Sequence, residues 1–443
     1  MVGVLLLLAA WFSAATLTSQ TPAPATAARQ INALIPSNTS VLLVGRDTPE
    51  DTAFLEAVEA SLAARSIVPV ARVRGEPRDA RLAMDRLNSQ SNSISAIVTS
   101  PECAAWSVFR DLTARFPNLG QPRLLVPEPV RWPAFLTRQN LLNVASQIVV
   151  IAILAVGMTL VILTRGIDLS VGSLIALSAV IVTTLIRNVF GGTAAHAGAM
   201  VLSSLAAIGI CAGAGLCSGA LVAWLRVPPF ITTLAAMQVA SGAAFLVARG
   251  GSIYEVPESF TTLGRGVGPI DIPNSVWLML GVYALTHLLM TRTVLGRHIY
   301  AVGGNPEAAR LSGVGVTRVL LFTYAFCGAM AGLGGVVQAS QLKSGAPTYG
   351  QMYELYAIAA VVVGGTSLAG GEGRVLGTLI GAFIIAVIQN GMNLTGVESY
   401  RQKIVLGLVI LGAVLLDLLK RRPLPLPAWM RLKSGQGPGS RPG

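Results

Sequence analysis

The chain has 443 residues, 53% of them hydrophobic and only 12% charged, whereas an ordinary soluble domain carries about 25% charged residues. Together with a mean hydropathy of +0.65, repeated apolar runs of roughly 20 residues exclude a soluble globular chain and predict a polytopic membrane protein. The net charge of +12 is unevenly placed, with 13 basic and 11 acidic residues up to Arg138 and 19 and 9 from Gln139 onward. The basic excess therefore belongs to the membrane part and reflects positive cytoplasmic loops, not nucleic-acid binding.

The chain opens on the apolar run VGVLLLLAAWFSAAT, followed by a linker (18–31) rich in Ser, Thr, Pro and Ala. A cleaved signal peptide has a similar small-residue end, but no basic residue precedes this run. An uncleaved first helix or signal-anchor over 1–17 is the favoured reading. Residues 32–130 differ in kind. Short apolar runs at 41–45, 67–73, 94–99 and 123–126 read as strands, and 51–65, 78–88 and 102–116 as helices. This alternation predicts one small domain with a parallel sheet and helices on its faces.

From Phe135 the sequence is that of a membrane body extending over 135–420, with a tail at 421–443. Candidate spans lie at 141–164, 169–187, 197–225, 230–247, 276–290, 319–339, 353–363, 375–390 and 403–419. With the N-terminal run they make about ten transmembrane helices. The fold class is thus a mainly α polytopic membrane protein with a small α/β domain inserted after the first helix. If the N-terminus lies inside and the sides alternate, 13 basic residues fall inside and 6 outside. That distribution puts both termini in the cytoplasm and makes the α/β domain extracytoplasmic. Of the four cysteines, Cys103 alone lies in the soluble part. Neither a disulfide framework nor a zinc site fits.

Residues 296–313, GRHIYAVGGNPEAARLSG, form a polar stretch between apolar segments. A short helix starting at Pro306, with Asn305 as its N-cap and Glu307 in the first turn, fits this stretch. Too short and too charged to span a bilayer, it reads as an element that presses on a partner and transmits force. Three other stretches stand out. Asp168 or Ser170 can cap the span that follows the turn at Arg165-Gly166, with a direct role in a solute pathway as the lesser alternative. The glycine-rich run 363–377 lacks the lysine of a P-loop and reads as a tight turn between helices. Gln389, Asn390, Asn393 and Thr395 supply neutral amides and a hydroxyl that either bridge helices or face a wet cavity suited to a sugar-like solute.

No H-E-x-x-H or G-x-S-x-G motif occurs, and His196, His287 and His298 are scattered, so no catalytic or metal site is expected. The acidic residues after Gln139 sit at predicted helix ends or in loops, unlike those of a proton-driven carrier. Energy for uphill transport would come from another chain.

The runs AVGMTLVILTRGIDLSVGSL, GRHIYAVGGNPEAARLSGV, YELYAIAAVVVGGTSLAGGEGRVLGTLIGA and NGMNLTGVESY resemble the permease subunits of ribose-type ABC importers, the simple-sugar permease family. The likeness is collinear over about 280 residues, from about 140 to 419. It implies a ten-helix subunit of a bacterial cytoplasmic (inner) membrane that pairs as a homodimer. Such a subunit engages a cytoplasmic ABC ATPase and a periplasmic sugar-binding protein, and moves a ribose-like monosaccharide. ATP and magnesium would sit on the ATPase, with no cofactor on this chain. It also implies that Glu307, Ala308, Ala309 and Gly313 match the loop that couples to the ATPase, with Gly303, Gly304, Asn305 and Arg310 around them. The segment 32–130 departs from the family and is similar to one lobe of a periplasmic sugar-binding protein. A single lobe cannot close around a ligand, so docking or a remnant is expected ahead of an independent sugar site. Two other readings remain at this stage: a membrane-anchored ligand sensor using the α/β domain, and an ion-coupled carrier.

Overall fold

A computed structural model describes residues 1–36 and 39–421, with side chains in the last helix as far as residue 415. The tail expected at 421–443 thus lies outside the described residues, apart from the helix end at Arg421. The chain forms two compact units: Leu17–Ala134, and Met1–Thr16 with everything from Phe135 onward.

The chain starts with helix α1 (Val2–Ala15) and then enters the smaller unit. The segment expected to be a linker is ordered. Strand β1 (Leu17–Gln20) pairs antiparallel with β6 (Val130–Pro133), and α2 (Pro24–Leu34) follows it. This ribbon closes the unit at both ends and carries its limits beyond 32–130. Inside lie β2 (Val41–Gly45), α3 (Pro49–Ala63), β3 (Ala71–Arg74), α4 (Pro77–Ser89), β4 (Ala96–Thr99), the short turns α5 (Pro101–Ala104) and α6 (Leu112–Arg115), and β5 (Arg123–Leu125). The four inner strands are parallel in the order β3-β2-β4-β5.

Proline at the first position starts α2, α3, α4 and α5, where its missing N–H costs nothing. β2 is buried on both faces. Val41 and Leu43 pack with α2 and α3, while Leu42 and Val44 pack with α4. The helix expected over 102–116 is broken. Asp111 adopts φ 56°, and Val108, Phe109 and Phe116 are all buried in the α4-side core, which a single continuous helix face does not supply. Beyond the carboxyl ends of β2 and β4, the buried Asp51 carboxylate receives the backbone N–H of Arg46 at 2.8 Å, its guanidinium at 3.0 and 3.2 Å, and the Ser100 hydroxyl at 3.0 Å.

The larger unit is helical: α7 (Arg138–Leu163), α8 (Val171–Asn188), α9 (Ala197–Ala223), α10 (Pro229–Ala248), α11 (Asn274–Arg292), α12 (Val294–Gly304), α13 (Pro306–Leu311), α14 (Val316–Leu342), α15 (Tyr353–Val363), α16 (Val375–Leu394) and α17 (Ser399–Arg421). Every candidate span from the sequence is helical, but fewer than ten are long enough to cross a bilayer alone. Among the described residues six helices qualify by length and composition, or seven if α11 and α12, bent by 74°, count as one span. α1 and α15 have 14 and 11 residues, roughly 21 and 17 Å, against a hydrocarbon core of about 30 Å.

α7 is the central strut, with every residue from Ile148 to Leu163 buried. α14 packs beside α9 through small residues, with Gly328 against the Cys211 carbonyl and Gly215 against that of Tyr324. Such contacts bring helix backbones together where lipid gives no hydrophobic drive between them. α15 is short because the chain before it, residues 347–352, runs through successive turns. Residues 344–347 are buried, Gly345 lies on the backbone of Ala179, and Gly350 lies on Gly172. Non-helical backbone at this depth is tolerated only where protein covers it or a cavity wets it.

Candidate docking helix, junction and vestibule

Part of the polar stretch 296–313 is a helix, not a loop. α12 runs through Gly304, capped by the Thr293 hydroxyl, which accepts from the Gly296 N–H at 3.2 Å. The chain breaks at Asn305 and restarts as α13. There the Asn305 side chain accepts from the N–H groups of Glu307 and Ala308, both at 3.0 Å, with Pro306 at the first helical position. The sequence pattern had specified this cap in full. Glu307 pairs with Arg310 at 2.8 Å on the exposed surface, Ala309 is buried, and Leu311 is 86% exposed. Gly313, at φ 84°, lets the chain turn into α14.

Three motifs that are distant in sequence meet behind α13. Arg165, in the left-handed region at φ 65°, leaves the end of α7. Its Nε donates to the Gly303 carbonyl at 2.7 Å and its Nη2 to the Gly304 carbonyl. These are end carbonyls of α12, without helical partners, and a guanidinium there also meets the negative end of the helix dipole. The glycine-rich run completes the junction. The Gly371 N–H donates to the Leu163 carbonyl at 2.9 Å, and the Tyr300 hydroxyl to the Gly373 carbonyl at 2.9 Å. A Cβ on Gly303 would collide with the Leu163 carbonyl and the Gly371 backbone, so these chains touch through bare backbone.

The five residues expected to line a pathway do not converge. Asp168 is fully buried. Its Oδ1 accepts from the Ser170 N–H at 2.9 Å and from the Ser170 hydroxyl at 2.6 Å, ordering the turn into α8. Ser170 is the N-cap residue, yet its own side chain makes no capping bond. Asn390 lies at the far end of the bundle, in a reciprocal amide pair with Asn140 at 2.9 and 2.8 Å. From Asn140 to the end of α7 is 23 residues, about 35 Å of helix, which separates the two groups. Asn393 is exposed and accepts from Gln402 at 2.8 Å, and Thr395 bonds its own helix at Gly391. Gln389 is half-buried. The amides of Asn390 and Asn393 therefore join helices.

A cavity of about 530 Å³ opens at the start of α7 instead. Gln139, Asn143 and Gln147 recur every fourth residue and line it together with Ser146 and Gln341. Arg138 pairs with Asp271 at 2.9 Å on its wall. Gln341 donates to the Ser146 carbonyl at 3.2 Å, while the Gln147 amide makes no hydrogen bond among the described residues. The four-residue spacing was visible in the sequence. Starting the span at Leu141 hid it by splitting the stripe across a boundary.

Long apolar helices with small-residue packing, a polar helix projecting at a backbone junction and an amide-lined cavity define a membrane permease. The chain matches, over residues 140–414, the family described as branched-chain amino acid transport system / permease component. It is 45% identical over 289 residues to the ribose import permease protein RbsC of Escherichia coli (strain K12), covering 64% of this chain and 87% of that protein. The corresponding protein of Bacillus subtilis (strain 168) is 42% identical over 303 residues, 68% of this chain and 91% of its own. The galactose/methyl galactoside import permease protein MglC of Escherichia coli (strain K12) is 39% identical over 300 residues, 65% of this chain and 89% of its own. No solved structure matches the chain significantly. The chain belongs to this family of transport permeases, and is a permease of the ribose-type ABC importers.

Proposed function

We infer that the chain moves a monosaccharide related to ribose or galactose into the cell, driven by ATP hydrolysis on a partner subunit. The observation that carries this reading is α13. It is an Asn305-capped helix with an exposed Leu311, rooted in the Arg165 junction, in a chain 45% identical to a ribose import permease. The family description mentions branched-chain amino acids, but the named relatives import sugars.

In this reading Glu307, Ala308, Ala309 and Arg310 form the surface that seats on a cytoplasmic ABC ATPase, which holds ATP and magnesium. Gly303, Gly304, Asn305 and Gly313 set the angles of that surface. The membrane is the bacterial cytoplasmic membrane, with ten crossings once α1, α15 and α17 are counted and both termini inside. Two copies form the pathway and receive solute from a periplasmic binding protein. The α/β unit is extracytoplasmic and serves as a docking platform or remnant. The test is purification with the partner ATPase. Glu307→Lys is expected to abolish solute-stimulated ATP hydrolysis. Unchanged assembly and stimulation in that variant would remove the coupling assignment.

A further inference from the structure

We propose that the break between α14 and α15 forms a recognition site for a neutral, polyhydroxylated solute, with Glu354 as the acceptor for its hydroxyls. This rests on the importer reading and names residues that would select the solute.

A cavity of about 300 Å³ lies between α8, α10 and the turns leading into α15. Ser173, Gln238, Ser241, Gln351 and Glu354 converge on it. None of these side chains makes a hydrogen bond or ion pair to another residue among the described residues. Ser173, Ser241 and Glu354 are half-buried and Gln238 and Gln351 exposed, so all five polar groups are free to meet a hydroxylated solute entering the cavity. The backbone points the same way. Met352, at φ 68°, starts α15 abruptly, and the Glu354 carboxylate lies over Gly172, where a Cβ would collide with Oε2. The turns before α15 are anchored by a hydrogen bond between the Tyr349 and Ser344 hydroxyls at 2.5 Å. Non-helical backbone bordering a cavity between membrane helices leaves polar groups where a solute can meet them.

The chemistry selects the class. A carboxylate with free lone pairs accepts from adjacent hydroxyls, two amides both donate and accept, and two serines adapt. No basic side chain lines the cavity to hold an anion. Met237, Met352 and the Tyr349 ring supply apolar walls, so a compact sugar has both a polar and an apolar face to meet.

The test uses the full chain assembled with its ATPase. Cys217 is the exposed native thiol, while Cys103, Cys211 and Cys327 are buried. Gln238→Cys in a Cys217→Ser background therefore reports on the cavity through its rate of thiol modification. D-ribose or D-galactose is expected to slow that modification. Glu354→Gln is expected to weaken the protection about tenfold and to lower uptake. Ser241→Val gives the same result if Glu354→Gln does not assemble. If ribose or galactose is imported but neither protects, and Glu354→Gln imports at the normal rate, the site is wrong and the importer reading stands. If L-leucine alone is imported and alone protects, the sugar reading and the polyol assignment both fall.

Discussion

Asp51 illustrates how one buried charge can hold a small domain together. Burial pushes its carboxyl up, but the Arg46 side chain and backbone N–H and the Ser100 hydroxyl outweigh that and hold it below the ordinary carboxylate value of 3.8. A depressed folded-state pKa contributes stability above the unfolded value, and that contribution is lost as pH falls through the folded one. The α/β unit should therefore loosen below about pH 4. Asp51→Asn should destabilise it by about 2 kcal/mol at neutral pH, because Arg46 loses its closest partner and keeps only Glu102 at 3.5 Å. Hydrogen exchange of β2 and β4 in the full-length protein reads both effects. Unaltered protection in Asp51→Asn would show that the pair contributes nothing. No local signal in the sequence marks Asp51, since its partners come from the ends of two strands.

At the scale of elements, α13 was legible to the residue. Asn305, Pro306 and Glu307 are local signals, and a cap depends only on its own turn. The junction behind it was not legible, because Arg165, Gly303 and Gly371 are far apart in sequence and nothing local links them. The Arg165 guanidinium fixes the end of α12, from which α13 springs, to the turn between α7 and α8. Arg165→Gln should cut the solute stimulation of ATP hydrolysis about tenfold while the ATPase still co-purifies. Arg165→Lys should not restore it, because an ammonium cannot span two carbonyls in one plane. Full stimulation in Arg165→Gln would mean the clamp plays no part in transmission. Gly304→Ala serves as the control, since a Cβ there meets nothing within 4 Å and the carbonyl is kept.

For the whole molecule, the orientation proposed from charge placement can be measured directly. In a Cys217→Ser background, Leu311→Cys should react with a membrane-impermeant thiol reagent only from the cytoplasmic side. Tyr254→Cys, at a position 69% exposed, should react only from the outside. Labelling of both from one side would overturn the alternating arrangement. Span number was the weakest part of the sequence reading, because hydropathy registers an apolar run but not whether the run is one straight helix. The run at 353–363 is apolar like the others, yet it is preceded by turns whose backbone only neighbouring helices can shelter.

The sequence by itself determined the membrane class, the family, the parallel alternation of the α/β unit and the capped helix α13. These depend on composition, on period and on contacts within a few residues. Only the tertiary structure decided which polar groups meet. Asn390 belongs to Asn140 and not to Asp168, the amides of α7 share a cavity, Glu354 faces another, and Arg165 holds α12. An amide or a carboxylate carries no mark of its partner in the sequence, and in a bundle of helices that partner is set by packing across long stretches of chain.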